Sequence, residues 1–146
     1  MKSLVLTFCL LCIAVAPSNA QMTPEALIDQ FFETYLAQGS SAALDEFYST
    51  NEWMTRSQDA VDNLKSQFVN LTSLVGEYHG RDLIVKKQLV DSFVLISYLV
   101  KYDRQPMRFT FEFYKPQDTW RAYSFAYDDN FDDELEEAAK INNLDQ

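Results

Sequence analysis

The segment "MRFTFEFY", residues 107–114, decides the fold, because it places a phenylalanine at every second position. Alternation of apolar and polar residues with a period of two is typical of a strand that turns one face to a core. Phe109, Phe111 and Phe113 are therefore predicted to lie together on the inner face of a sheet. Their rings are large enough to fill the space between that sheet and a layer of helices.

A second aromatic segment, "WRAYSFAY", follows at residues 120–127 and predicts the neighbouring strand. Its heavier set of alternating side chains is Tyr123, Phe125 and Tyr127, which we expect on the inner face. Trp120, Ala122, Ser124 and Ala126 are expected on the outer face.

Four segments in total carry the strand pattern. They are "RDLIVKKQLV" at 81–90, "SFVLISYLVKY" at 92–102, "MRFTFEFYK" at 107–115 and "TWRAYSFAY" at 119–127. Only short turns connect them, and short turns join antiparallel neighbours. The four strands are therefore predicted to form an antiparallel meander.

The chain before residue 76 has the period of a helix instead. Thr23 caps a first helix, Pro24 occupies its first position and Gly39 ends it. The apolar stripe of this helix consists of Leu27, Ile28, Phe31, Phe32, Tyr35 and Leu36. A short second helix is expected over residues 42–48.

The third helix, residues 58–75, is the clearest of all, because its apolar residues recur at steps of three and four. The acidic tail starts with Asn130 or Asp132 as a cap and is expected to be helical to about Ile141. The predicted fold class is α+β: three N-terminal helices packed on a bent four-stranded antiparallel meander, plus a C-terminal acidic helix.

Residues 1–20 have the pattern of a secretory signal peptide: a basic start, a short apolar run, and Ser18 and Ala20 before the cleavage point. The apolar run is too short to span a membrane. We therefore predict a single domain over residues 21–146 and a periplasmic or secreted location. Both cysteines, Cys9 and Cys12, belong to the leader, so disulfides, zinc thiolates and a cysteine nucleophile are not expected in the domain.

Acidic residues dominate the charge, which is −10 for the whole chain. Residues 128–146 carry eight acids and one base, which is typical of a solvated helix face. Nucleic acid and anionic membrane surfaces both require a basic patch, so neither is expected as a partner.

The order of elements resembles the nuclear transport factor 2-like superfamily, whose members pack helices into a strongly bent sheet as a cone. The resemblance covers nearly the whole chain after the leader. It rests on "ALIDQFFETYLAQGSSAALDEFYS" at 26–49, the helix-to-strand junction "SLVGEYHGRDLI" at 73–84 and the final strand "DTWRAYSFAY" at 118–127. The resemblance is closest to small secreted bacterial members of unknown function. That fold hosts isomerases, dehydratases, ligand carriers and scaffold modules, so the resemblance implies a shape and no single activity.

Catalysis of the kind that the resemblance implies needs a tyrosine and a carboxylate inside the cone. Tyr35, Tyr98 and Tyr123 could supply the hydroxyl, but the acidic residues fall on polar faces or in a turn: Asp29, Asp45, Glu112 and Asp118. The sequence therefore favours a non-enzymatic binding or interaction module. The alternative is an isomerase- or dehydratase-like enzyme of the same fold.

A cone cavity in this chain would be lined by aromatic residues and would suit a small apolar ligand. The candidate ligand-binding residues are Phe31, Tyr35, Phe109, Phe111, Tyr123 and Phe125. The alternative is that the same rings close the core completely.

Metal and cofactor sites are not predicted. His79 is the only histidine and is expected in a surface turn. The segment from Asp128 matches the first positions of a calcium loop, but Asp133 and Ala139 replace the glycine and the glutamate that such a loop needs.

The second strand is apolar on both faces, because Val94, Ile96, Tyr98 and Val100 alternate with Phe93, Leu95 and Leu99. Strands of this kind are covered on both sides. The sequence therefore predicts a partner on the outer sheet face, with a homodimer as the simplest case and with Ile96 and Tyr98 as its test positions. The alternative is that the C-terminal helix folds back over this face, although its many acidic residues argue against a close fit.

Overall fold

A computed structural model describes residues 22–144, so the predicted leader at 1–20 lies outside the described residues. The helices are α1 (Pro24–Gln38), α2 (Ser40–Ser49), α3 (Gln58–Val75) and α4 (Asp132–Leu144), with a 3-10 helix at Glu52–Ser57. The strands are β1 (Tyr78–Val90), β2 (Phe93–Tyr102), β3 (Met107–Tyr114) and β4 (Arg121–Asp128).

The strands form one antiparallel sheet in the order β1-β2-β3-β4, which confirms the α+β class and the meander. Each predicted strand is found within a few residues of its expected bounds. The 3-10 helix was not predicted, since its sequence "EWMTRS" has no apolar period.

Helix α1 begins as its sequence predicts. The Thr23 hydroxyl accepts a hydrogen bond from the Ala26 backbone N–H at 3.2 Å, and Pro24 occupies the first position. The predicted stripe is buried from Leu27 to Phe32, but Leu36 is exposed. The predicted burial of Leu36 was wrong, because Leu36 lies in the last turn of the helix, beyond the buried part of the stripe.

Gly76 ends α3 and fixes the entry into β1. Its φ is 93°, and a Cβ at this position would lie 2.8 Å from the side chain of Asp103 in the β2–β3 turn. Any other residue would be strained in its backbone and would clash with Asp103. The backbone N–H of Asp103 donates to the Glu77 carbonyl at 3.1 Å, which joins the α3–β1 junction to that turn.

The core lies between the helices and the inner face of the sheet. Phe31 of α1 contacts Phe111 of β3 with ring centroids 5.1 Å apart, and Phe68 of α3 contacts Phe109 at 5.2 Å. The inner-face phenylalanines of β3 have 0% exposure, as the alternation predicts. Both helices therefore cover the same face of the sheet.

Candidate functional site

Five of the six predicted ligand-lining residues lie together in the core. Phe125 contacts Phe31, Phe109 and Phe111 with ring centroids 5.3, 5.4 and 5.1 Å apart. Tyr35 stacks on Phe31 at 6.4 Å. These distances are those of aromatic rings packed directly against one another. Ligand binding by these rings stays a prediction.

Tyr123, the sixth residue, lies on the outer face and has 54% exposure, so its predicted orientation was wrong. The reason is a register shift in the β3–β4 pair. Glu112 pairs with Ser124, but the next residue, Phe113, pairs with Ala122, which leaves Tyr123 as the extra residue of a bulge. Ala122 points inward in its place and is fully buried.

Two tyrosine hydroxyl groups, those of Tyr35 and Tyr102, lie next to each other in the core. The hydroxyls of Tyr35 and Tyr102 lie 2.9 Å apart, and burial raises the pKa of both tyrosines. Both hydroxyls are therefore neutral at physiological pH, where they donate and accept hydrogen bonds but do not act as bases. The pair joins α1 to β2.

The carboxylates that are candidates for a general base lie outside the core. Asp29 forms an ion pair with Arg81, and Asp45 lies 2.7 Å from the Lys65 ammonium; both carboxylates are largely exposed. Glu112 is half-buried on the outer face, and Asp118 is exposed in the β3–β4 turn.

His79 belongs to β1 rather than to a turn, and its Nε2 lies 2.5 Å from a carboxylate oxygen of Asp103. The pKa of Asp103 is lowered, first by the hydrogen bond from the Glu77 backbone N–H and then by His79. These contacts join the start of β1 to the β2–β3 turn at the exposed end of the sheet. Over residues 22–144, no cluster of histidine, cysteine and carboxylate side chains is suited to hold a metal ion.

The outer face of β2 carries Phe93, Leu95 and Leu99, which are all half-buried. The residues that we assigned to this face, Ile96 and Tyr98, lie on the inner face, where Ile96 is 1% exposed. That assignment was wrong because alternation alone does not say which of two apolar sets faces the helices. The pairing of Ile96 with Phe111 decides the question, since directly paired residues share a face.

Small side chains form a row across the middle of the outer face. Directly paired residues, one from each strand, make up this small-residue row: Val85, Ser97, Thr110 and Ala126. The hydroxyls of Ser97 and Thr110 lie 3.0 Å apart, which places both on the same side of the sheet. The row could not be found from the sequence, since it exists only once the strand register is known.

Two further rows flank the small-residue row at two residues' distance along each strand, except that Asp82 lies three residues from Val85, because the β1–β2 pairing shifts between Leu83 and Val85. The Leu95 row contains Lys87, Leu95, Glu112 and Ser124, and the Leu99 row contains Asp82, Leu99, Arg108 and Asp128. Arg108 forms a two-point ion pair with Asp128 at 2.8 and 3.0 Å. Each row therefore holds one leucine on β2 and charged residues around it.

Helix α4 does not cover this face with the side chains that the structure describes. Those side chains are exposed, and the exposed fraction of Leu135 is 66%. Within residues 22–144, the helices lack a stretch both long enough and apolar enough for a membrane crossing. Comparisons of the chain with known protein families, with curated proteins and with solved structures found no match.

Proposed function

We propose that the protein is a non-enzymatic interaction module that binds a second copy of itself through the outer face of its sheet. One observation carries the proposal: β2 is apolar on both faces, and the helices α1 and α3 pack on the inner one. A sheet face that carries Phe93, Leu95 and Leu99 gains free energy when a partner removes it from water.

The arrangement of charges favours a second copy as that partner. A face-to-face dimer can place its twofold axis along the small-residue row, so that each strand runs antiparallel to its copy. The Leu95 row of one chain then lies over the Leu99 row of the other. Lys87 faces Asp82, Leu95 faces Leu99 and Glu112 faces Arg108 of the second copy, and each contact occurs twice.

The other face-to-face arrangement has its axis along the strands and fits less well. It would place β1 over β4 and β2 over β3. Asp82 would then face Asp128, and the leucines would face Glu112 and Arg108. Like charges that face each other and apolar groups on charged ones both cost free energy.

Small side chains on the axis also suit the first arrangement. Thr110 and Ala126 would each face their own copy, and their size lets the two sheets approach closely. Stacked sheets lie about 10 Å apart and cross at about 30°, so a row without bulky residues at its centre avoids a clash.

Sedimentation of the purified protein at micromolar concentration tests the proposal. We expect a dimer for the wild type and a monomer for Leu95→Lys, since a lysine would face the apolar Leu99 of the second copy. Leu74→Lys is the matched control, because Leu74 is an exposed leucine on α3, away from the sheet. A monomeric wild type, or a Leu95→Lys variant that remains a dimer, would contradict the proposal.

Single cysteines test the arrangement separately from the association. In a Cys9→Ser, Cys12→Ser background, Thr110→Cys and Ala126→Cys should each join to their own copy with a short thiol cross-linker. Leu95→Cys and Leu99→Cys should join only when the two variants are mixed, because identical positions lie about 13 Å apart along the strands. If the protein is a dimer but Thr110→Cys and Ala126→Cys do not join to their own copies, the self-association stands and the proposed twofold axis is wrong.

The proposal includes the assignment to the nuclear transport factor 2-like superfamily and an extracytoplasmic location. The order of three helices followed by an antiparallel meander supports the assignment. The sequence pattern of residues 1–20 supports the location. A homodimer formed on a sheet face needs neither cofactor nor metal.

A further inference from the structure

A notch opens where the 3-10 helix meets the β3–β4 hairpin, outside the core and one row beyond the Leu95 row. Its volume is about 260 Å³. Six residues line it: Asn51, Trp53, Tyr114, Pro116, Arg121 and Tyr123. We propose that this notch binds a small aromatic carboxylate, with the ring between the aromatic side chains and the carboxylate on Arg121.

The walls of the notch are aromatic and exposed. The exposed fractions are 52% for Trp53, 43% for Tyr114 and 54% for Tyr123. None of these three described rings contacts another of the three, whereas the inward rings of the core are packed in mutual contact. Rings held apart around a space of this size leave room for one flat apolar group between them.

Hydrogen bonds join the segment before the 3-10 helix to β4 at the base of this space. The Asn51 side chain donates to the Ala122 carbonyl at 2.8 Å and accepts from the Trp53 backbone N–H at 3.2 Å. The Thr50 hydroxyl accepts from the Ala122 N–H at 2.8 Å. The bulge that turns Ala122 inward also turns Tyr123 outward into the notch. The 3-10 helix and β4 are thus fixed against each other at the base of the site.

Arg121 determines the charge of the ligand. It pairs with Tyr114 across the β3–β4 ladder, so its side chain shares a face with one wall of the notch. The Arg56 guanidinium lies 4.4 Å from the centroid of the Trp53 ring, so a second positive charge lies next to one wall of the notch. A guanidinium is suited to grip a planar carboxylate at two points. In a chain of net charge −10, these cations favour an anion where the rest of the surface would repel it.

Glu52 sets a limit on the affinity. Its carboxylate lies 3.8 Å from Arg121 and is mostly exposed. An incoming carboxylate must compete with it for the guanidinium. Removal of the Glu52 charge should therefore strengthen the binding of an acid and leave the binding of a neutral analogue unchanged.

Titration with 2-naphthoate and with its neutral amide, 2-naphthamide, tests the inference on the full-length protein. Chemical shifts of the Trp53 indole N–H report binding at the notch. We expect the acid to bind about tenfold more tightly than the amide, which is the discrimination that one charged hydrogen-bonding group supplies. We also expect Glu52→Gln to tighten only the acid.

Arg121→Gln should reduce the affinity for the acid to that for the amide, and Trp53→Ala should weaken both ligands. Arg104→Gln is the matched control, because Arg104 is an exposed arginine that donates to the Leu74 carbonyl on the other side of the molecule. Two results would overturn the inference: equal affinity for the acid and the amide, or an Arg121→Gln variant that binds the acid as well as the wild type does. The site does not depend on self-association, so a monomeric protein would still be expected to bind.

Discussion

The two faces of the sheet use the same strands in different ways. On β3, the inward residues Phe109, Phe111 and Phe113 are fully buried beneath α3, α1 and α2, respectively. The outward residues of the same strand are half-buried or exposed, from Arg108 to Tyr114. The inner face of β3 is thus fully covered by the helices. The apolar residues of the outer face are only partly covered by the residues that the structure describes.

The difference shows that the same residue types have opposite roles on the two faces. Inner rings meet mostly edge to face, as Phe31 does with Phe111 at 76° between ring planes. Such contacts stabilise the fold beyond the area that they bury. Tyr123 contacts only Phe93 among the described rings, at 5.4 Å, and 54% of the residue is exposed. Aromatic content alone therefore does not identify a core.

The largest expected effect comes from Phe111→Ala. Phe111 lies within 5.6 Å, centroid to centroid, of Phe31, Phe47 and Phe125. The substitution removes a fully buried ring and leaves a cavity, so we expect the free energy of unfolding to fall by about 3–5 kcal/mol. Urea denaturation at a fixed protein concentration measures the change.

Tyr114→Ala is the control for this experiment, since it removes a ring from the same strand on the opposite face. We expect its free energy of unfolding to lie within about 0.5 kcal/mol of the wild type, which is usual for surface positions. Equal losses from the two substitutions would mean that the outer ring is part of the core, and the distinction between the faces would fail.

Sequence patterns predicted the elements well because local chemistry sets them. The boundaries of α3 follow directly from its apolar period and from Gly76, and both are found at the expected residues. The start of α1 follows from Thr23 and Pro24, which are neighbours in the sequence. These features need no knowledge of distant residues.

The strand register, and which side of each strand meets the helices, depend on residues far apart in the sequence. Local sequence patterns were not sufficient to predict either of them. The bulge that moves Tyr123 to the outside arises between two strands, and nothing in "WRAYSFAY" marks it. The face of β2 that meets the helices is decided by its pairing with β3, since both of its faces are apolar. The notch combines both effects, because it needs the bulge and the unpredicted 3-10 helix together.

A smaller effect is expected from the polar contact within the core. Tyr102→Phe removes the partner of the Tyr35 hydroxyl, and we expect it to lower the free energy of unfolding by about 1–2 kcal/mol. The double variant Tyr35→Phe, Tyr102→Phe should lose less than the sum of the two single losses, because it leaves neither hydroxyl without a partner. Additive losses in this double-mutant cycle would show that the two hydroxyls do not interact.

The same pair predicts behaviour at high pH. Burial raises the pKa of both tyrosines, so the folded state holds these protons more tightly than the unfolded state does. The resulting stabilisation is complete below the unfolded pKa of about 10 and is lost as the pH rises above it. The double variant should therefore lose less stability between about pH 9 and pH 11 than the wild type does.

The smallest effect is expected from Asp103, at the exposed end of the sheet. The Glu77 backbone N–H donates to its carboxylate at 2.8 Å, and this contact and His79 lower the pKa of Asp103. A lowered pKa means that the carboxylate stabilises the fold above the unfolded pKa, about 3.9, and that this contribution is lost as the pH falls through the folded pKa. Asp103→Asn should therefore reduce stability slightly at neutral pH and flatten its decline below about pH 4. Thermal unfolding of the variant and the wild type from pH 7 to pH 3 measures both effects. Parallel curves over that range would show that Asp103 titrates alike in the folded and unfolded chains.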